Sequence, residues 1–414
     1  MSRFVYTDLN EEIRRQIVSG FGSIQTSGGV VHIQNIPFES TWESPVDSAM
    51  PEDSIIHALV RHLKKSYENT GNFITQSIEG KDALYRENRL FDYTVWSPGK
   101  KRSDDMIFLF HGLNEKYWEK YWTWAHSLVL GTGKTVILFP MAFHMNRAPV
   151  LWKDPRSMQI LSRERKELFP DAEEVSFANV ALSYRLQLMP QRFVSSGLQT
   201  YCDLRSLIQS VKLKKHPILS SGGRMDFFGY SIGAFLAEML FLNNPEHWFD
   251  DSRMFLLCGG STLDHCDPSS QWILDSEASR SIHQFLSAVT QSEKEGTWHS
   301  GGCAPNKEEI RLFKSFLRKD KDELYRVSKW KDRARNIRLF GFSEDRVFPE
   351  EGLRKTFVSG DSNVSVKMEL YRDEFLFRHE NLFPSQNKTR NAANRRFNAV
   401  FESAISHFGT EPAC

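Results

Sequence analysis

The side chains best suited to chemistry fall in residues 225–244, MDFFGYSIGAFLAEMLFLNN, which contain Gly229-Tyr230-Ser231-Ile232-Gly233, a G-x-S-x-G pattern. Four strand-forming residues precede the first glycine. After the serine, apolar residues at 232, 235, 236, 239 and 240 keep to one helical face, and Asn243-Asn244-Pro245 supplies a stop. A strand that reverses into a helix within one residue strains that residue and crowds the positions two places away, so glycines on both sides remove side chains that would clash. The Ser231 hydroxyl is then pushed out above the sheet edge, over a helix N-terminus whose N–H groups and dipole face a developing oxyanion. The bland alternative is a Gly-Ser turn joining a core strand to a core helix.

A serine hydroxyl is a weak nucleophile and needs an imidazole to take its proton and a carboxylate to orient the imidazole. In a strand-turn-helix setting both follow the serine, acid first. Asp345, in LFGFSEDRVFP (339–349), stands where the carboxyl end of a strand would present it, although it also suits a turn cap or a pair with Arg346. Glu344 and Asp264 are the reserve acids. Of the six histidines after Ser231, His379 is preferred, because it sits just beyond the last expected strand and before the final helix; the alternative is a surface histidine bonded to Glu380. Oxyanion donors come from the residue after the nucleophile and from a loop after an earlier strand. The backbone N–H groups of Ile232 and Leu113 fill those places, with Asn114 as a third donor and His111 bracing the loop.

Two other patterns fail. The cluster Asp264-His265-Cys266-Asp267 has no established metal-site spacing, and no metal or cofactor is assigned. Gly131-Thr132-Gly133-Lys134-Thr135 precedes a strand instead of following one, so no helix N-terminus would receive a phosphate.

The elements that must position these residues read as alternating strands and helices. Strands are expected at 91–97, 106–110, 135–141, 225–228, 254–258, 336–342 and 364–371, and helices at 118–130, 196–211, 233–242 and 391–407. The alternation predicts an α/β fold, a mostly parallel sheet with helices on both faces. Residues 1–104 read as an N-terminal accessory region with a helix over 55–67 and strands over 30–36 and 73–78; residues 105–408 form the main domain. Two insertions are too long for simple crossovers: 142–191, rich in Pro and charge, and 261–335, a mainly helical cap around 282–290 and 308–330.

Composition sets the outer bounds. With 53 Lys+Arg against 52 Asp+Glu, the net charge of +1 provides no global attraction to nucleic acid or anionic lipid. The apolar runs are far shorter than the roughly 18 to 20 residues of a membrane span. Five scattered cysteines without a C-x-x-C pair argue for reduced thiols, and the start, MSRFVYTDLNEEIRRQ, lacks a secretory pattern, so the expected compartment is the cytoplasm.

These ordered landmarks, together with FHGLNE, FPMAFHMNRAP, SGLQTYCDL and DFFGYSIGAFL, resemble the α/β-hydrolase superfamily, in particular a bacterial branch of it. The resemblance implies that fold and hydrolysis of an ester, thioester or amide through an acyl-enzyme on Ser231. The loop after His111 lacks the glycine run of HGGG lipases, so no lipase or carboxylesterase label follows. An acyltransferase with the same three residues, and a non-catalytic binding protein on a hydrolase scaffold, are the other readings. The partner is a small acyl substrate, with no nucleic acid and no membrane span; the oligomeric state stays open. Asn114, Tyr230, Phe143 and Arg147 are the candidate substrate contacts, Arg147 for a substrate carboxylate or else an internal salt bridge. The aromatics Trp118, Tyr121, Trp122, Trp124, Trp152 and Tyr184 either line an apolar pocket or form core.

Overall fold

Residues Met106–Phe110 are buried at all five positions. Their side chains divide by parity: Met106, Phe108 and Phe110 enter one apolar cluster, Ile107 and Leu109 another. Such a strand is covered on both faces and belongs in the interior of a parallel sheet. A computed structural model describes residues 5–20, 22–43, 80–98, 104–291, 305–359, 362–363, 366–372 and 377–409. Its strands are β1 (Ser23–Thr26), β2 (Gly29–Glu39), β3 (Leu90–Ser97), β4 (Met106–Phe110), β5 (Thr135–Leu138), β6 (Met225–Tyr230), β7 (Met254–Leu257), β8 (Ile337–Phe342), β9 (Val358–Ser359), β10 (Ser362–Asn363) and β11 (Lys367–Tyr371). Among the described residues, strands β9 and β10 pair only with each other, and the other nine form one sheet in the order β1-β2-β3-β5-β4-β6-β7-β8-β11. From β5 to β11 every pairing is parallel, and β1, β2 and β3 add antiparallel strands at one side. This is the α/β-hydrolase fold.

The helices cover both faces. On one, α1 (Tyr6–Val18), α2 (Glu119–Thr132) and α11 (Arg390–Gly409) contribute Tyr6, Trp124 and Phe401 to the cluster holding Ile107. The helices α3 (Pro155–Leu168) and α4 (Val180–Leu188) lie within the first insertion. The opposite face is covered by α5 (Gln191–Lys212), α6 (Ile232–Asn243), α7 (Ser276–Gln291), α8 (Lys307–Leu317) and α9 (Glu323–Arg333), which contribute Leu204, Leu240, Leu286, Phe316 and Trp330 to the cluster holding Phe108. A short helix, α10 (Glu350–Thr356), follows β8.

Strand order reverses at β4, which lies between β5 and β6. Chains leaving the carboxyl ends of β4 and β6 diverge there and open a crevice, the usual ligand position in an open α/β sheet. The loops carrying Leu113 and Ser231 leave from those two strands.

Several expectations need adjusting. Strand β5 stops at Leu138, just before Pro140, which has no N–H to donate. The insertion at 142–191 holds two helices, α3 and α4, and the later one starts its helices at Ser276, before residue 282. Strands β1, β2 and β3 come from the stretch read as an accessory region, and they are hydrogen-bonded into the same sheet as β4. The helix expected over 55–67 and the strand over 73–78 lie outside the described residues.

The two insertions are bound to each other. Arg165 of α3 donates through both Nε and Nη2 to Asp275, just before α7, with both side chains fully buried. Asn179 Nδ2 donates to the Ser270 carbonyl at 2.9 Å, and Asp275 N–H donates to Ser183 Oγ at 3.1 Å.

Candidate active site

Ser231 lies between β6 and α6 with φ 57° and ψ −125°, a conformation that non-glycine residues rarely adopt. Its neighbours show why glycine is required. A Cβ on Gly229 would lie 2.5 Å from Ala234 Cα, and one on Gly233 would lie 2.6 Å and 2.7 Å from the carbonyl oxygens of Phe110 and His111. Backbone atoms at those distances cannot turn aside, so the sharp reversal and the approach of α6 to β4 both depend on the missing side chains.

Three side chains far apart in sequence meet here. His379 Nδ1 lies 3.1 Å and 2.9 Å from the two carboxylate oxygens of Asp345, and its Nε2 lies 2.7 Å from Ser231 Oγ. All three residues are 4% exposed. An ionised carboxylate only accepts, so the imidazole proton belongs on Nδ1, and the lone pair on Nε2 accepts from the serine hydroxyl. Asp345 is itself held: its Oδ1 accepts from the N–H groups of Val347 at 2.9 Å and Phe348 at 3.1 Å.

The imidazole is held on its other sides too. The rings of Tyr230 and Phe348 stack against it, with centroids 5.5 Å and 5.7 Å away, and the Tyr230 hydroxyl donates to the His379 carbonyl. Burial and surrounding carboxylates push the Tyr230 phenol well above its ordinary range, so it stays a donor.

The loop after β4 is braced in a similar way. His111 Nδ1 donates to Gly112 O at 2.8 Å, and its Nε2 accepts from Met141 N at 2.9 Å. Burial and the nearby His144 keep its pKa well below the usual histidine value, which matches a neutral ring making those two bonds. Gly112 N–H donates to Tyr121 Oη at 3.0 Å, Tyr121 donates to Glu115 at 2.9 Å, and Lys120 bonds both Glu115 and the Glu380 carbonyl. That chain ties the β4 loop to the loop carrying His379. The backbone N–H groups of Leu113 and Ile232 have no hydrogen-bond partner among the described residues. Ile232 is the first residue of α6, where N–H groups have no partner within the helix.

The candidate substrate contacts separate. Asn114 and Tyr230 border a cleft of about 500 Å³ that also includes Ser231 and His379. The Asn114 amide is already committed: Nδ2 donates to Ala178 O at 2.9 Å and Trp272 O at 2.7 Å, clamping both insertions, so the side chain is not a third oxyanion donor. Phe143 lies under the Arg185 guanidinium, 3.7 Å from its ring centroid, and borders a narrow apolar cavity that runs along α6 from Leu113. For Arg147 the expectation of a substrate contact is corrected. It is fully buried, pairs with Asp203 at 2.8 Å, and donates to Asn88 and Pro140. Asp264 and His265 bond each other, and Asp264 accepts from Lys319 N–H, with no hydrogen bond to Ser231. Among the aromatics, Tyr121 and Trp124 are core, and Trp152, buried in a smaller apolar cluster with Phe143 and Tyr184, also borders the cleft.

Cys258 is a site residue that sequence reasoning did not single out. It is fully buried with φ 49°, and its sulfur lies within 4.8 Å of an Asp345 carboxylate oxygen and a His379 ring nitrogen. Burial and that carboxylate raise its pKa well above the ordinary thiol value, so the thiol stays protonated. A lone cysteine at the end of an apolar strand gives no signal in sequence.

No curated protein matches the chain. Solved structures with similarity include a PEG-bound cold-adapted esterase from an Arctic intertidal metagenomic library: 11% identical, covering 90% of this chain and 97% of that one, TM-score 0.36. A Pyrobaculum calidifontis esterase is 10% identical over 87% of this chain and 99% of its own, TM-score 0.37. A mutant form of the esterase rPPE is 10% identical over 98% of this chain and 88% of its own, TM-score 0.40. Likenesses at this level carry no inference about activity. Across residues 4–409 the sequence matches the family described as "Family of unknown function (DUF6051)", and the chain belongs to that family.

Proposed function

We propose that this chain is a serine hydrolase that cleaves an ester, thioester or amide through an acyl-enzyme on Ser231. The observation that carries the reading is the buried, unbroken contact from Asp345 through His379 to Ser231 Oγ, with the serine in a strained turn. In the reaction, Ser231 Oγ attacks the acyl carbonyl as His379 Nε2 takes its proton, and Asp345 stabilises the imidazolium. The N–H groups of Leu113 and Ile232 receive the oxyanion; one such donor is worth about 10²–10³ in rate. His379 then protonates the leaving group, and water repeats the sequence to release the acid.

The two kinds of space beside Ser231 divide the substrate. Apolar cavities bordered by Ile232, Phe235, Leu236 and Met239, and by Leu274 and Phe348, take the acyl group. The wider cleft past Asn114 and Trp152 takes the leaving group. The interlocked insertions serve as its lid. Among the described residues no helix is long and apolar enough to cross a membrane.

The test is turnover of p-nitrophenyl esters of increasing acyl length by wild type and Ser231→Ala, with hydroxylamine as a competing nucleophile. Turnover that disappears in the variant supports the reading, and hydroxamate in excess of free acid moves it to acyl transfer. Equal turnover by both proteins refutes it.

A further inference from the structure

The cleft beside Ser231 carries charge that its own residues do not neutralise. It is bordered by four cations, Lys116, Lys120, Lys153 and Arg378, and three carboxylates, Glu115, Glu119 and Glu380. Glu115 is occupied by Lys120 and Tyr121, and Glu380 accepts from Ser270 Oγ. Lys120 also bonds the Glu380 carbonyl and lies over the Tyr230 ring, 4.4 Å from its centroid. With Glu115 paired to Lys120, that leaves Glu119 and Glu380 against Lys116, Lys153 and Arg378, a net positive charge, and none of these three cations has a carboxylate within salt-bridge distance among the described residues.

Lys116 is the least compensated. It is largely enclosed, and of its three ammonium donors one reaches the Trp152 carbonyl at 3.0 Å. Burial and the like charge of Lys153 press it down to about 8. Lys153 is half-buried and depressed by burial, with Glu119 and Glu87 opposing; its ammonium lies 5.7 Å from the centroid of the Tyr117 ring. Two half-enclosed ammonium groups on one wall repel each other, and a bound anion reverses that cost. The apolar cavities across Ser231 differ: where charged groups border them they are paired, Arg185 with Asp82 and Glu309 with Arg205 and Tyr201.

We propose that Lys116 and Lys153, with Arg378 at the rim, bind an anionic group, a carboxylate or phosphate monoester, on the leaving-group half of the substrate. The substrate class is then an ester or thioester joining an apolar acid to an alcohol or thiol that bears the anion. On cleavage, water supplies hydroxyl to the acyl carbon and a proton to the leaving oxygen or sulfur, and the anion stays on the departing half. This assignment rests on the serine-hydrolase reading, and its test separates the two.

Three probes share one acyl group: 4-(hexanoyloxy)benzoate, its neutral methyl ester, and 4-(hexanoyloxy)phenyl phosphate. The expected result is a kcat/KM for one or both anionic probes roughly tenfold above the neutral one, falling with added salt. That ratio drops to near one in Lys116→Met and Lys153→Met and is kept in Lys116→Arg. The carboxylate and phosphate arms identify which anion the site prefers. Equal kcat/KM for all three probes in wild type, or a ratio preserved in both methionine variants, overturns the proposal; Lys153 lies nearer the surface, so its variant stays informative if Lys116→Met fails to fold. Equilibrium dialysis of benzoate and phenyl phosphate against Ser231→Ala reads the site without chemistry. Anions bound there and lost on adding Lys153→Met, with no ester turned over by wild type, support the anion site and refute the hydrolase reading; anions not bound overturn the site.

Discussion

Replacing Asp345 by asparagine changes one oxygen to an NH₂ group and little else in shape, and the surrounding hydrogen bonds determine which oxygen is lost. Oδ1 accepts from the N–H groups of Val347 and Phe348, so the asparagine carbonyl must stay on that side. The NH₂ then takes the place of Oδ2, 2.9 Å from His379 Nδ1. Two donors cannot face each other, so the imidazole must give Nδ1 a lone pair and carry its proton on Nε2, toward Ser231 Oγ 2.7 Å away. A protonated Nε2 cannot accept the hydroxyl proton. The expected loss in kcat is about 10⁴-fold, about 5 kcal/mol at 1.36 kcal/mol per decade, as a wrong tautomer costs in serine proteases. The backbone bonds to the side chain survive, so the thermal midpoint should stay within a few degrees. The assay is single-turnover acylation by a p-nitrophenyl ester alongside thermal denaturation. An Asp345→Asn enzyme within tenfold of wild type, with its fold intact, would refute the tautomer argument and with it the orienting role of Asp345.

Three further outcomes follow from the packing and from buried charge. Gly233→Ala places a methyl 2.6 Å and 2.7 Å from two carbonyl oxygens and should destabilise by about 1–3 kcal/mol, read as a lower thermal midpoint together with slower acylation; an unchanged midpoint contradicts the crowding argument. Arg165→Met leaves the Asp275 carboxylate buried without its cation and should cost about 3–5 kcal/mol in urea unfolding, whereas a loss under 1 kcal/mol would show the pair to be idle. His407 is held down to about 3 by burial and by Arg338 and Arg253. The unfolded chain takes up that proton near pH 6.5, so the contribution of His407 is full above that pH and is lost as pH falls toward 3. His407→Gln should therefore lose less of its urea midpoint between pH 7.5 and 4.5 than wild type does; equal losses contradict this.

What was legible in the sequence follows from how local the signals are. The elbow is read from residues 225–244 because its strain, its two glycines and the apolar helix that follows all lie within one segment. Fully apolar runs such as Met106–Phe110 announce buried strands in the same way. Other features depend on distant contacts. Helix α4 is buried at all nine positions, so it has no polar face to reveal its period. Arg147 looked able to reach a substrate carboxylate because sequence alone does not show Asp203, 56 residues later, at its guanidinium. The brace through Tyr121, Glu115 and Lys120 and the approach of the Cys258 sulfur to Asp345 and His379 likewise exist only once the sheet brings the β4, β7 and His379 loops together. The N-terminal strands were separated from the main domain by sequence position, yet β3 pairs with β5.

The most direct test of the central claim is covalent. Incubation of the intact protein with a fluorophosphonate probe, followed by proteolysis and tandem mass spectrometry, should give one adduct on Ser231, absent from Ser231→Ala and strongly slowed in His379→Ala. An adduct that persists in Ser231→Ala, or no adduct on the wild-type chain, would contradict the claim that His379 and Asp345 make this serine a nucleophile.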